Sequence, residues 1–173
     1  ANLRLGVFVG ERYGLGLLPI LLPRLKSHLV PWVAGGRTRL PLIDGRDIGQ
    51  AIARAATAEG LSGYEAFNIV GPHSPTVREV IGLLHERGYP KPQFSVPFSV
   101  AFAFAWFMEQ LDRIMPWDPL VTRSIIHLLR NTDADNRRAT DRLGYVPEHD
   151  WRDAVNRQLT EMQERQTSPM SMA

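Results

Sequence analysis

With 173 residues, 44% of them apolar and 22% charged, the chain has the make-up of a globular protein able to bury one core, or one and a part. Twenty Lys and Arg stand against eighteen Asp and Glu, a net charge of +2, and the basic residues, nearly all Arg, are scattered, which argues against a surface that tracks nucleic acid. There is no cysteine, hence no disulfide framework, thiolate nucleophile or Cys-based metal site, and a reducing cytoplasm fits.

In chain order, Leu3 to Val9 is apolar except for Arg4 and Gly6 and reads as a buried strand. Residues 10–16 form a glycine-punctuated loop. Leu17 to Leu29 has helical spacing, but Pro19 and Pro23 confine a helix there to a start and a restart. Thr38 to Ile43 predicts a short strand. Asp47 is then expected to cap a helix that carries Ile48, Ala51, Ile52, Ala55 and Ala56 on one stripe and stops at Gly60. Phe67 to Val70 predicts a second buried strand. Thr76 and Glu79 form a capping box for a helix through Arg87, with Gly88 as its stop. Residues 90–97 are a Pro-rich connector with room for a short extended piece.

Phe98 to Met115 is the most apolar predicted helix, and Leu120 to Arg130 is another. Asp135 is expected to cap a helix ending at Leu143 and Gly144, and Asp150 the last helix, through Gln166. Residues 167–173 read as a frayed tail. The start of the chain lacks the pattern of a signal peptide, and the longest apolar stretch, Val96 to Met108, is short of the roughly 20 residues a membrane span needs. No internal repeat or linker divides the chain, so residues 1–173 read as one region.

Chemistry-bearing motifs are few. Gly10, Gly14 and Gly16 follow a strand in the manner of a phosphate loop. Pro19 and Pro23 spoil the helix that should come next, and Gly35-Gly36-Arg37 stands where an acidic residue should grip a ribose, so a plain turn-rich loop is the better reading. The five histidines are isolated, and no metal site is expected. No Gly-x-Ser-x-Gly elbow occurs, and Asp133 and Asp135 read as loop and cap residues. Phe98, Phe102, Ala105, Trp106 and Leu111 share helical spacing, followed by Met115 and Trp117; the set is a core stripe, or one wall of an apolar pocket, or a membrane-surface contact. The last is the weakest, because Glu109, Gln110, Asp112 and Arg113 are bunched at one end.

Three segments in order, Leu3-Arg4-Leu5-Gly6-Val7-Phe8-Val9-Gly10-Glu11, the stretch from Gly35 through Leu40 to Ile48, and Phe67-Asn68-Ile69-Val70-Gly71, carry a family likeness. So does the closing Arg138-Ala139-x-x-x-Leu143-Gly144-Tyr145-x-Pro147. Together they resemble the second half of the extended short-chain dehydrogenase/reductases, the NAD-dependent epimerase/dehydratase and 3β-hydroxysteroid-dehydrogenase-like families. The resemblance covers roughly residues 3–165. It implies an α/β fold, the C-terminal portion of an NAD(P)-binding Rossmann-like enzyme, with two parallel sheet strands and a mostly helical substrate-binding region.

That family's catalytic Tyr-x-x-x-Lys and dinucleotide-binding glycines are absent. Tyr13 leads to Leu17, Tyr64 to Asn68, Tyr89 to Gln93 and Tyr145 to His149, and no Gly-x-x-Gly-x-x-Gly occurs. No catalytic residue is therefore assigned. The resemblance places Leu5, Gly6 and Val7 beside the nicotinamide end of an NAD or NADP whose phosphates the other half would hold, so tight cofactor binding by this chain alone is not expected. Leu40 stands where nucleotide-sugar enzymes often carry an arginine for the substrate's pyrophosphate, which tilts the substrate toward something apolar. The implied substrate-binding set is Arg12, Tyr13, Leu18, Leu40, Phe98, Phe102 and Trp106.

Two functional readings follow. In one, the chain is the substrate-binding half of an NAD(P)-dependent oxidoreductase or epimerase whose missing Tyr would be the acid/base and missing Lys would lower its pKa, the cofactor carrying hydride. In the other, it is a non-catalytic binding or regulatory module that keeps the pocket. The expected partners are a small-molecule substrate and further copies of the chain, because a truncated sheet exposes an apolar strand edge.

Overall fold

The computed structural model describes residues 1–12, 14, 16–28, 30–112 and 134–167. The chain divides into two compact units, one of Ala1–Ile20, Pro41–Ser74 and Asp133–Ala173, the other of Leu21–Leu40 and Pro75–Thr132.

In the first unit, β1 (Asn2–Leu5) pairs in parallel with β5 (Ala66–Ile69), Leu3 opposite Phe67 and Leu5 opposite Ile69. The expected single strand from Leu3 to Val9 is broken at Gly6. Its second part, β2 (Val7–Val9), pairs instead with β4 (Leu42–Asp44), also in parallel. Only glycine fits at the break: a Cβ on residue 6 would lie 2.2 Å from the carbonyl oxygen of Pro41. The Gly6 N–H donates to Ile69 O at 2.9 Å and the Val7 N–H to Pro41 O at 2.8 Å, so consecutive amides serve different strands. Burial is also less complete than the apolar run suggests, since Val9 is buried but Leu5 is 45% exposed at the outer edge of β1. The strand expected over Thr38 to Ile43 begins later, because Pro41 has no N–H for a ladder; Arg39 makes only an isolated bridge with Thr76.

The helix α2 (Gly45–Thr57) is capped by Asp44, not by Asp47 as the sequence suggests. Asp44 ends β4 in extended conformation and its Oδ1 accepts the Arg46 N–H at 2.8 Å. Asp47 falls inside the first turn, fully buried. Ile48, Ala51 and Ala55 of the predicted stripe face the core, whereas Ile52 is 54% exposed and Ala56 is exposed. The core combines Ile43, Ala51, Phe67, Ile69, Ala139, Leu143 and Tyr145.

Two further helices close this unit, α5 (Arg137–Leu143) and α6 (Trp151–Thr167). Asp135 Oδ1 accepts the Arg137 N–H at 3.1 Å, as a capping residue would, while the residue at the N-cap position itself, Asn136, is engaged elsewhere. Its amide side chain accepts from Val70 N and donates to Val70 O, both at 2.8 Å, and so substitutes for a strand partner at the end of β5. Gly144 ends α5 in the left-handed conformation at φ 63°. Asp150 accepts the Arg152 N–H at 2.8 Å, as expected, and α6 runs through Thr167, whose Oγ1 donates to Gln163 O at 3.1 Å. Residues 168–173 of the predicted tail lie outside the described residues.

The unit boundary falls within α1 (Leu17–Lys26), which is one helix rather than a start and a restart. Pro19 occupies the first turn, where no intrahelical N–H is missed, and Pro23 forgoes a single bond while Leu18, Leu22 and Leu25 are buried. In the second unit β3 (Trp32–Val33) pairs in parallel with β6 (Ser95–Val96). The α3 helix (Val77–Glu86) has the predicted capping box, with Thr76 and Glu79 satisfying each other's N–H groups. The apolar helix α4 (Phe98–Asp112) buries Ala101 and Ala105 against Val33 and Val96, with Phe98 and Phe102 packed alongside. The predicted helix from Leu120 to Arg130, with Met115 and Trp117, lies outside the described residues. No described helix is long and apolar enough to cross a membrane.

Candidate functional site

In open parallel sheets, ligands gather at the carboxyl ends of the strands. In the first unit, β2 and β4 both end at a group of charged side chains. Asp44, 2% exposed, meets two guanidiniums: Arg46 donates from Nε at 3.2 Å and Nη2 at 3.0 Å, and Arg157 of α6 donates from Nη2. Arg157 reaches at the same time to Glu11, Nε to Oε2 at 2.8 Å. Burial raises the Asp44 pKa, but hydrogen bonds from Arg46 and the charges of both arginines outweigh it and hold the carboxyl below its usual range. Glu11 is likewise lowered, chiefly by its bond to Arg157. Both are charged at neutral pH.

Beside this group Asp47 accepts three bonds from the segment entering α6: the N–H of Glu148 at 3.3 Å, the N–H of His149 at 3.2 Å and His149 Nδ1 at 2.6 Å. A shallow cavity of about 390 Å³ lies along α6, lined by Glu11, Asn156, Arg157, Thr160, Glu161 and Glu164. Among the described residues no cluster of His, Asp and Glu is arranged to hold a metal ion.

Two N–H groups at the start of the glycine loop that follows β2 are already engaged by α6. The Gly10 N–H is taken by Gln158 Oε1 at 3.2 Å and the Arg12 N–H by Glu161 Oε2 at 2.5 Å. A carboxylate thus stands where a phosphate loop would present free donors. Gly16, at φ 110°, is fixed by close packing: a Cβ there would meet Phe8 O at 2.6 Å.

The residues singled out from sequence are distributed as follows. Leu5 is exposed on the edge of β1, Gly6 is the pinned crossover and Val7 is half-buried. Arg12 is exposed at φ 66°, and Leu18 is fully buried in α1. Tyr13 lies outside the described residues. In the second unit, Leu40 is buried with its N–H on Pro75 O at 2.8 Å. Phe98 and Phe102 stack with centroids 6.4 Å apart, and Trp106 is 50% exposed. The structure thus brings Phe98 and Phe102 together, and Leu40 is not among the residues packed with them. Sequence reasoning missed Asp44, Arg157, Gln158 and Glu161. The one local signal was the acidic pair Asp44 and Asp47 flanking Arg46; the α6 partners lie 113 to 149 residues from their mates.

No protein-family model matches the sequence, and no curated protein does. Solved structures do share its fold. The protein gox2253 matches 94% of this chain at 19% identity and a TM-score of 0.64, over 48% of its own length. The UDP-glucose 4-epimerase of Thermotoga maritima, solved with UDP-glucose, matches 95% at 18% identity and 0.62, over 46% of its length. The human epimerase family protein SDR39U1, solved with NADPH, matches 90% at 20% identity and 0.59, over 46% of its length. The chain therefore has the fold of the C-terminal part of a Rossmann-like extended short-chain dehydrogenase/reductase, and it spans about half the length of the structures it matches.

Proposed function

We propose that this chain is the substrate-side portion of an NAD(P)-dependent oxidoreductase or epimerase of the extended short-chain class, working with a nucleotide-binding half that supplies the glycine fingerprint and the Tyr/Lys pair. The observation that carries the reading is the pair of parallel strand couples joined through Gly6, in a fold matched over 94% of this chain but 48% of its neighbour. In this reading the backbone at Leu5, Gly6 and Val7 borders the nicotinamide, and the group, when bound, supplies hydride transfer. The Gly10 and Arg12 N–H groups of the adjoining loop are already taken by Gln158 and Glu161, which supports phosphates held by the other half.

The substrate is apolar rather than a nucleotide sugar. Two features support this: buried Leu40 at the position where the resemblance expects an arginine, and an α4 helix with no charge from Phe98 to Met108. Phe98, Phe102 and Trp106 of α4 offer apolar contact, as small-molecule sites require. The test is calorimetric titration of the chain with NAD⁺ and NADP⁺. It should show no saturable binding below about 1 mM, an affinity corresponding to only about −4 kcal/mol, and joining a nucleotide-binding half should restore binding and turnover. Tight binding to the chain alone, or none after joining, would overturn the reading.

A further inference from the structure

Three side chains of α6 hold three successive residues of the loop that follows β2. Gln158, 1% exposed, takes the Gly10 N–H, Arg157 binds the Glu11 carboxylate, and Glu161 takes the Arg12 N–H. Arg157 also binds Asp44 at the end of β4, so the loop is fastened through α6 to the sheet. Glu161 is itself held from behind by Arg165 at 2.6 Å. Arg12 sits at φ 66°, a conformation that a residue with a Cβ keeps only when its surroundings impose it. The bond at 2.5 Å to a carboxylate oxygen is a short restraint on that backbone N–H.

We propose that α6 sets the conformation of this loop and that Glu161 is a positioning residue for the substrate-facing Arg12. This rests on the function proposed above. A residue near the far end of the chain thereby controls the geometry of a loop near its start, through a hydrogen bond to the Arg12 backbone amide.

Amide hydrogen exchange, followed by NMR on this chain, tests the restraint without any cofactor. Glu161→Ala should speed exchange of the Arg12 amide at least about tenfold and leave Phe67 and Ile69 unchanged, because opening would be local. Glu161→Gln, which keeps an acceptor oxygen, should stay within about threefold of the parent. An Arg12 amide that exchanges equally fast in parent and Glu161→Ala overturns the restraint. In the joined enzyme, Glu161→Ala should raise the substrate KM at least about fivefold with kcat little changed, and Glu161→Gln should restore it. An unmoved KM beside a loosened loop overturns the positioning role. Absence of NAD(P)-dependent turnover in the joined parent overturns the proposed function, while the exchange result stands by itself.

Discussion

Gly6 occupies a place where no side chain fits. The Pro41 carbonyl passes 2.2 Å from where a Cβ would lie, and the Val70 Cγ1 is at 3.2 Å. Backbone cannot shift there without parting β1 from β5 or β2 from β4. Gly6→Ala should therefore destabilise the protein by about 1–3 kcal/mol, the range for overpacking a tight site. Chemical unfolding checks this, and a midpoint equal to the parent's would show that the two strand pairs can move apart. Asp44 supports the same region by charge. Its pKa is lowered in the folded chain, so it adds stability above its unfolded value of about 3.9 and loses it as pH falls through the folded value. Glu11 acts with the same sign. The urea midpoint should thus fall between pH 7 and pH 3. Asp44→Asn keeps an N-cap acceptor but removes the charge, so its midpoint should be lower at pH 7 and should fall less on acidification. Identical pH profiles for the two proteins would remove the network from the stability account.

At the scale of elements, helices whose ends rest on local chemistry behave as their sequences suggest. The α3 helix starts at a reciprocal Thr76 and Glu79 box and is followed by Gly88 at φ 87°. Thr76→Ala removes the acceptor for the Glu79 N–H and should cost about 1 kcal/mol in thermal or urea unfolding. A change below a few tenths would mean that packing of Val80, Ile81 and Leu84, all buried, holds the helix start unaided. The α1 helix shows the opposite balance. Two prolines argue against continuity, yet three buried leucines on one stripe outweigh one forgone hydrogen bond. At α2, cap and buried carboxylate exchange roles between Asp44 and Asp47. Local sequence admits either, and only the end of β4 decides.

Across the whole molecule, the β1–β5 pair has two strands and unequal edges. The end of β5 is closed by the Asn136 amide on Val70, whereas β1 has no strand on its other side among the described residues. Leu5 stands exposed on that edge. Parallel strands are normally covered, and an open apolar edge is a template for association. The isolated chain should self-associate in sedimentation experiments as concentration rises, and Leu5→Lys should shift it toward monomer, since an edge lysine opposes pairing. A parent that stays monomeric throughout would mean that the edge is too short to join copies.

Much of the fold was legible because it rests on neighbours along the chain. The capping box at Thr76, the αL glycine at position 144, the Asp150 cap and two neighbouring parallel strands at the start of the chain and around Phe67 all follow from turn chemistry or apolar strand runs, the register apart. The candidate site was not legible in that way. The donors and acceptors around Glu11, Asp44, Gly10 and Arg12 come from Arg157, Gln158 and Glu161, more than 110 residues away. Composition cannot tell a loop whose N–H groups are vacant from one whose N–H groups are filled by a distant helix. Hydrogen bonds reach about 3 Å, and only the folded path of the backbone brings those groups within that reach.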